Sequence, residues 1–220
     1  MDLFALFREP TPGWPETTPA LRLADGTHVH LRPLKSGDGR AWSETRVLDE
    51  HWLKPVEPTV QGTWADAHSP QAWRANWLNL KKLAADGVVV PLVIVADGEF
   101  AGQVTLGNIQ HGAMSECWIG YWVHSPFMGR GIATAACALG TDHAFARVGM
   151  HRVTATFLPD NPASKSVLLA NGYREEGYLR KNLHIDGQWR DHHLVALNAD
   201  DFPHTAVERL RAAGRVRPVQ

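Results

Sequence analysis

The chain has 220 residues, 44% hydrophobic and 20% charged, which is enough for one domain with a sizeable core, with or without an N-terminal extension. A formal net charge of −1 with no basic block leaves no footprint for binding nucleic acid, and no apolar run reaches the roughly 18 residues of a membrane span. The opening MDLFALFREPTPGWPE lacks the basic head, apolar stretch and cleavage site of a signal peptide, so a cytoplasmic location is expected.

In chain order, Pro10, Pro12, Pro15 and Pro19 mark residues 1–20 as an irregular lead-in. Asp25-Gly26, Asp97-Gly98 and Asp186-Gly187 each sit between strand-like segments, and both residue types tolerate positive φ. They predict three antiparallel hairpins: 21–24 with 28–34, 88–96 with 100–109, and 178–185 with 188–197. A helix is expected over 36–53, carrying Trp42, Val47 and Leu48. Another spans 70–85, with Ser69 as N-cap and Pro70 at the first helical position. An alanine-rich helix follows over 131–147. A shorter one over 161–170 stops at Asn171-Gly172, and 199–220 reads as a terminal helix with a frayed basic end. Strands 118–123 and 152–157, joined by a helix, should be parallel neighbours. The fold class is therefore α/β: a mixed, mostly antiparallel sheet of about seven strands flanked by helices, with the ligand where two strands splay.

Cys117 and Cys137 fall in a strand and a helix and read as small buried hydrophobes, not as a disulfide. Twelve histidines form no metal-ligand spacing; His28/His30 and His192/His193 read as surface or strand residues, and no metal is expected. Among the nine tryptophans, Trp52, Trp64, Trp73 and Trp77 lie before the central strands and suit either a core or a substrate groove.

The most informative stretch is Ile119–Ala136, I-G-Y-W-V-H-S-P-F-M-G-R-G-I-A-T-A-A. An aromatic strand runs into a turn holding Gly129 and Gly131 and then directly into a helix. Such a turn aims unpaired amides and the positive end of a helix at one point, a ready site for a diphosphate, although the same pattern also makes a simple tight turn. Thirty residues on, Asn161 and Ser164 share one face of a first helical turn, as an N-cap or as ligand contacts.

Together, Ile119-Gly-Tyr-Trp-Val, Gly129-Arg-Gly-Ile-Ala133, Asn161-x-x-Ser164, Asn171-Gly-Tyr-Arg-Glu-Glu-Gly177 and Arg190-Asp-His192 resemble the GNAT superfamily of N-acetyltransferases. Within it they are most similar to ribosomal-protein alanine N-acetyltransferases of the RimJ/RimL type. The resemblance covers roughly residues 21–201, leaving 202–220 as a tail. It implies a GNAT-like fold and acetyl-CoA as co-substrate. The implied diphosphate site is the amides of Met128, Gly129, Arg130, Gly131, Ile132, Ala133 and Thr134. Val123 would end the strand that pairs with the pantetheine arm, Asn161 would bond to it, and Ser164 would meet the thiolate. Met128 stands where the family usually has Gln or Arg.

The implied reaction is direct attack on the thioester in a ternary complex. The favoured acceptor is a protein N-terminal α-amine, possibly ribosomal. A small amine, or a CoA-binding module with degraded catalysis, are the alternatives. No nucleic-acid or membrane partner is expected, and an oligomer is compatible with the sequence. An α-amine with a pKa of about 8 must lose a proton before attack. The glutamate some relatives are thought to use falls near Asn182-Leu183. Glu116 is the remaining candidate base, with Glu57, His184 or a water chain as alternatives.

Overall fold

The computed structural model describes residues 11–219. Its elements in chain order are β1 (Leu21–Leu23), β2 (His28–Pro33), α1 (Gly39–Leu48), α2 (Glu50–Leu53), α3 (Trp64–Ala67), α4 (Pro70–Ala85), β3 (Val90–Ala96), β4 (Glu99–Gln110) and β5 (Glu116–Val123), then α5 (Ile132–His143), β6 (Arg152–Phe157), α6 (Pro162–Ala170), β7 (Arg174–Ile185), β8 (Gln188–Asn198), α7 (Ala206–Ala212) and β9 (Val216–Pro218). All nine strands form one sheet in the order β7-β8-β6-β5-β4-β3-β2-β1-β9. The three expected hairpins are present, and Asp97-Gly98 and Asp186-Gly187 hold positive φ at both positions.

The expected count of about seven strands is too low. The tail expected to be helical contains only α7 and then returns as β9, antiparallel to β1. Three residues, of which only Val216 is buried, are too short to declare a strand by pattern. The helix expected over 36–53 is also broken, into a 3₁₀ turn, α1 and α2. The break is at Asp49, whose carboxylate is drawn away to His124 and Ser125, 75 and 76 residues further along the chain. The helix expected over 131–147 is α-helical to His143 and then widens into a π turn over Ala144–Val148.

Strand alternation divides the core in two. Leu92 and Ile94 face α5 and α7, beside Cys137, Ala138 and Leu210. Val93 and Val95 face Trp42 of α1 and Trp73 of α4. Both cysteines are free and buried, and burial pushes their thiols up to about 12.

The sheet is interrupted once in a way that matters for function. β5 and β6 are parallel but pair only over Glu116–Trp118 with Arg152–Thr154. Beyond that, β5 stays with β4 as far as Val123 opposite Gly102, whereas β6 stays with β8 as far as Phe157 opposite His193. The inner edge of β5 from Ile119 onward therefore lacks a strand partner, and a wedge opens towards the start of α5.

Candidate active site

A cleft of about 1230 Å³ runs through this wedge from the α5 face of the sheet to the α1 and α4 face. At one end is the turn leading into α5. Its first part is a 3₁₀ segment, Ser125–Phe127, closed by Met128 N donating to Ser125 O at 3.1 Å. The Met128 amide, expected in the diphosphate set, is thus already used. For the amides of Gly129 through Thr134 no acceptor is seen among the described residues. The first bond of α5 is Ala135 N to Gly131 O at 3.0 Å. Gly129 and Gly131 sit at φ of 74° and 83°, and a Cβ on either would meet nothing within 4 Å. Glycine here supplies the left-handed backbone that turns successive N–H groups inward, and the space in front of them stays open. Arg130 contributes only its backbone, because its guanidinium is paired with Asp25 at 3.0 Å and bonded to Thr27.

The turn is anchored from the other side of the sheet. The Asp49 carboxylate, 1% exposed, accepts from His124 Nδ1 at 2.6 Å and Ser125 N at 2.8 Å. Burial alone would raise its pKa; the bonds from Ser125 and His124 outweigh that and hold it below the usual carboxylate value.

Midway along the wedge, Asn161 caps α6 by accepting from Ser164 N at 3.0 Å. Ser164 Oγ lies 3.2 Å from the Tyr121 hydroxyl, which crosses from β5. Burial raises the Tyr121 pKa far above its ordinary value, with the Ser164 bond only a partial offset, so the phenol keeps its proton. The sequence placed Ser164 here but gave Tyr121 no role, because its contact with α6 spans 43 residues.

The far half of the cleft is formed by α1, the segment after α2, β7 and β8. Arg46 lies buried within 5.0–5.4 Å of the Trp42, Trp64 and Trp122 ring centroids and is paired with Glu57. His68 packs against Trp64 and donates from Nδ1 to Trp64 O at 2.7 Å. Burial, reinforced by Arg46, pushes its pKa down to about 4. Trp64 and Trp73 are core residues whose indole N–H groups bond to Arg46 O and Ser36 O, whereas Trp52 stands exposed at the cleft rim.

Glu116 is not among the cleft residues. It sits at the end of the wedge where β5 and β6 still pair, and its carboxylate accepts from Arg152 Nε at 3.1 Å. Strand alternation gave its face correctly and says nothing of its distance from the opening. His184 is also outside, bonded to Thr59 Oγ1 at 2.9 Å, whereas Glu57 and Leu183 do line the cleft. His192, expected on the surface or simply within a strand, is 3% exposed and forms part of the cleft wall.

Residues 28–174 match the acetyltransferase (GNAT) domain family. The chain belongs to the GNAT acetyltransferases. The Mycobacterium smegmatis RimJ structure, solved in complex with CoA-disulfide, is 47% identical. The match covers 94% of this chain and 99% of that one, with a TM-score of 0.92. The ribosomal-protein-S5-alanine acetyltransferase of Vibrio fischeri is 29% identical over 80% of this chain and 96% of its own, with a TM-score of 0.72. The [ribosomal protein uS5]-alanine N-acetyltransferase of Escherichia coli K12 is 28% identical over 193 residues, 86% of this chain and 97% of that protein. This GNAT protein is an acetyl-CoA-dependent N-acetyltransferase with the fold that the glycine turn and the Asn161-x-x-Ser164 pair implied.

Proposed function

We propose that this GNAT enzyme acetylates the N-terminal α-amine of a protein, as the names of its uS5-alanine and S5-alanine relatives suggest for a ribosomal protein, and that it does so in the cytoplasm. The observation that carries the reading is the acceptor half of the cleft. This half, beyond the part given to CoA, opens between α2 and β7. Its two acidic side chains, Glu57 and Asp160, are each already paired with an arginine, Arg46 and Arg190. A polyamine would call for unpaired carboxylates; a peptide carries a single ammonium and a run of backbone amides.

In this reading the amides of Gly129–Thr134 hold the diphosphate, and the unpaired edge of β5 up to Val123, together with Asn161, receives the pantetheine amides. The thioester then lies beside Ser164 and Tyr121. A free N–H on the β5 edge polarises its carbonyl and stabilises the oxyanion formed when the neutral amine attacks. When the C–S bond breaks, the thiolate takes a proton from the Ser164–Tyr121 pair, whose phenol burial keeps protonated.

The test is CoA-thiol release with peptides bearing a free N-terminal Ala or Ser, with N-blocked peptides containing lysine, and with spermidine. Release confined to free N-termini is the expected result. Release with spermidine alone would replace the reading by small-amine acetylation.

A further inference from the structure

The mechanism above lacks a group to take the acceptor's proton, and an α-ammonium with a pKa of about 8 is mostly protonated at neutral pH. We propose that His192 of β8 accepts this proton through its Nε2 atom. The proposal rests on the amine-acetylation reading and adds a catalytic residue to it.

Three observations bring His192 to the reacting end of the cleft. Val195 and Leu197 of β8 face the α5 core, so His192, three and five positions away, projects to the opposite face, where the acceptor half lies. His192 is buried, yet its side chain forms part of the cleft wall near Phe157 and Leu158, at the end of β6 that leads to Asn161. Opposite it, β7 bulges: Leu179 pairs with His192 and Leu183 already with Arg190, so three residues of β7 are left out of register with Lys181 at φ 48°. These three residues lie opposite Asp191 alone, so β7 bends immediately beside the histidine.

The imidazole is set in one protonation form by its own strand. His192 Nδ1 lies 3.1 Å from Arg190 O, and a carbonyl can only accept, so Nδ1 carries a proton and, in the neutral ring, Nε2 is a bare lone pair. No partner for Nε2 is seen among the described residues. Burial lowers the pKa, with the bond to Arg190 O only a partial offset, which favours the neutral ring. The charged groups on surrounding elements are largely committed: Arg190 to Asp160, Asp191 to Lys181 N and Tyr178, and Arg46 to Glu57. His68 is the other buried imidazole in the cleft. With a pKa of about 4 it is too weak a base for an ammonium, and its ring is packed between Trp42 and Trp64.

The proton balance closes. One ammonium proton passes to Nε2, and the freed nitrogen pair forms the C–N bond while the carbonyl π pair moves to oxygen. Collapse restores C=O and expels the thiolate. The second nitrogen proton replaces the one the sulfur takes from Ser164 and Tyr121, and His192 returns its proton to water.

The experiment compares wild type with His192→Gln, His192→Ala and His68→Gln, using an N-terminal Ser peptide across pH 6–9. His192→Gln should lower kcat about 100-fold while the CoA Kd stays within twofold. Added imidazole should restore part of the His192→Ala rate, and His68→Gln should keep most of its turnover. A His192→Gln rate within threefold of wild type would overturn the assignment. Should wild type acetylate only spermidine, the acceptor reading falls and the same variants decide His192 on spermidine. A second measurement needs no acceptor: ¹⁵N NMR of wild type with CoA should show His192 Nε2 unprotonated at pH 7.5, and an Nε2–H tautomer would also overturn the proposal.

Discussion

Replacing Asp49 by asparagine tests whether the residue between α1 and α2 holds in place the turn proposed to bind CoA. Asp49 receives His124 Nδ1 and Ser125 N at 2.6 and 2.8 Å on a carboxylate that is ionised despite its burial. Hydrogen bonds to a charged group contribute about 1.5–3 kcal/mol each. Both donors meet the same oxygen, Oδ2, so asparagine can keep both bonds through its amide oxygen, but only as neutral bonds of about 0.5–1.5 kcal/mol each. The expected cost is about 2–3 kcal/mol, and for a domain of this size a fall in Tm of about 5–10 °C. Ser125 opens the segment whose next residues present the free amides, so the damage should reach the ligand. CoA should bind about tenfold more weakly by calorimetry, with Asp49→Asn still folded by circular dichroism. A Tm within 2 °C of wild type together with a CoA Kd within twofold would refute the idea that this link positions the turn.

Two further expectations concern buried polar groups. Ser164→Ala and Tyr121→Phe should each lower kcat by about tenfold to a hundredfold with the KM for acetyl-CoA little changed, and the double variant should lose no more than the worse single one, since they act as one pair; additive losses in steady-state rates would show separate roles. His68 has a folded pKa of about 4 against 6.5 for an ordinary histidine, so the unfolded chain binds its proton first. The stability it permits is whole above pH 6.5 and is lost as pH falls towards 4, by about 3 kcal/mol at most. Urea denaturation of wild type and His68→Phe at pH 7.5 and 4.5 should show the smaller loss in His68→Phe, and equal losses would contradict the assignment.

Local signals carried much of the fold. Each Asp-Gly pair fixed a hairpin because the backbone requirement is met by two adjacent residues, and Ser69-Pro70 marked the start of α4 for the same reason. The turn with its free amides was legible because strand, glycines and helix are contiguous. What failed to show depended on distant contacts. Asp49 broke a helix that propensity would continue, in answer to an amide on the far side of the sheet. Glu116 had the right face at the wrong end of its strand, since the point where β5 parts from β6 has no marker in either strand alone. His192 looked like one of two ordinary histidines in a polar strand, and only the bulge in β7 and the cleft beside it distinguish them.

The two borders of the sheet constrain how this protein meets copies of itself. At one border, β9 is three residues long and ends in Pro218, which has no N–H to offer. At the other, β7 carries Arg174, Glu175, Glu176, Arg180 and Lys181, is kinked by its bulge, and is met near its tip by Pro58. Neither border presents a long, flat row of free N–H and C=O groups, so a second molecule has no template along which to extend the ladder. Self-association by strand addition, the usual hazard of an open sheet, is blocked at both ends. Among the described residues, the helices and loops are therefore the surfaces on which copies can meet with the sheet of each left intact.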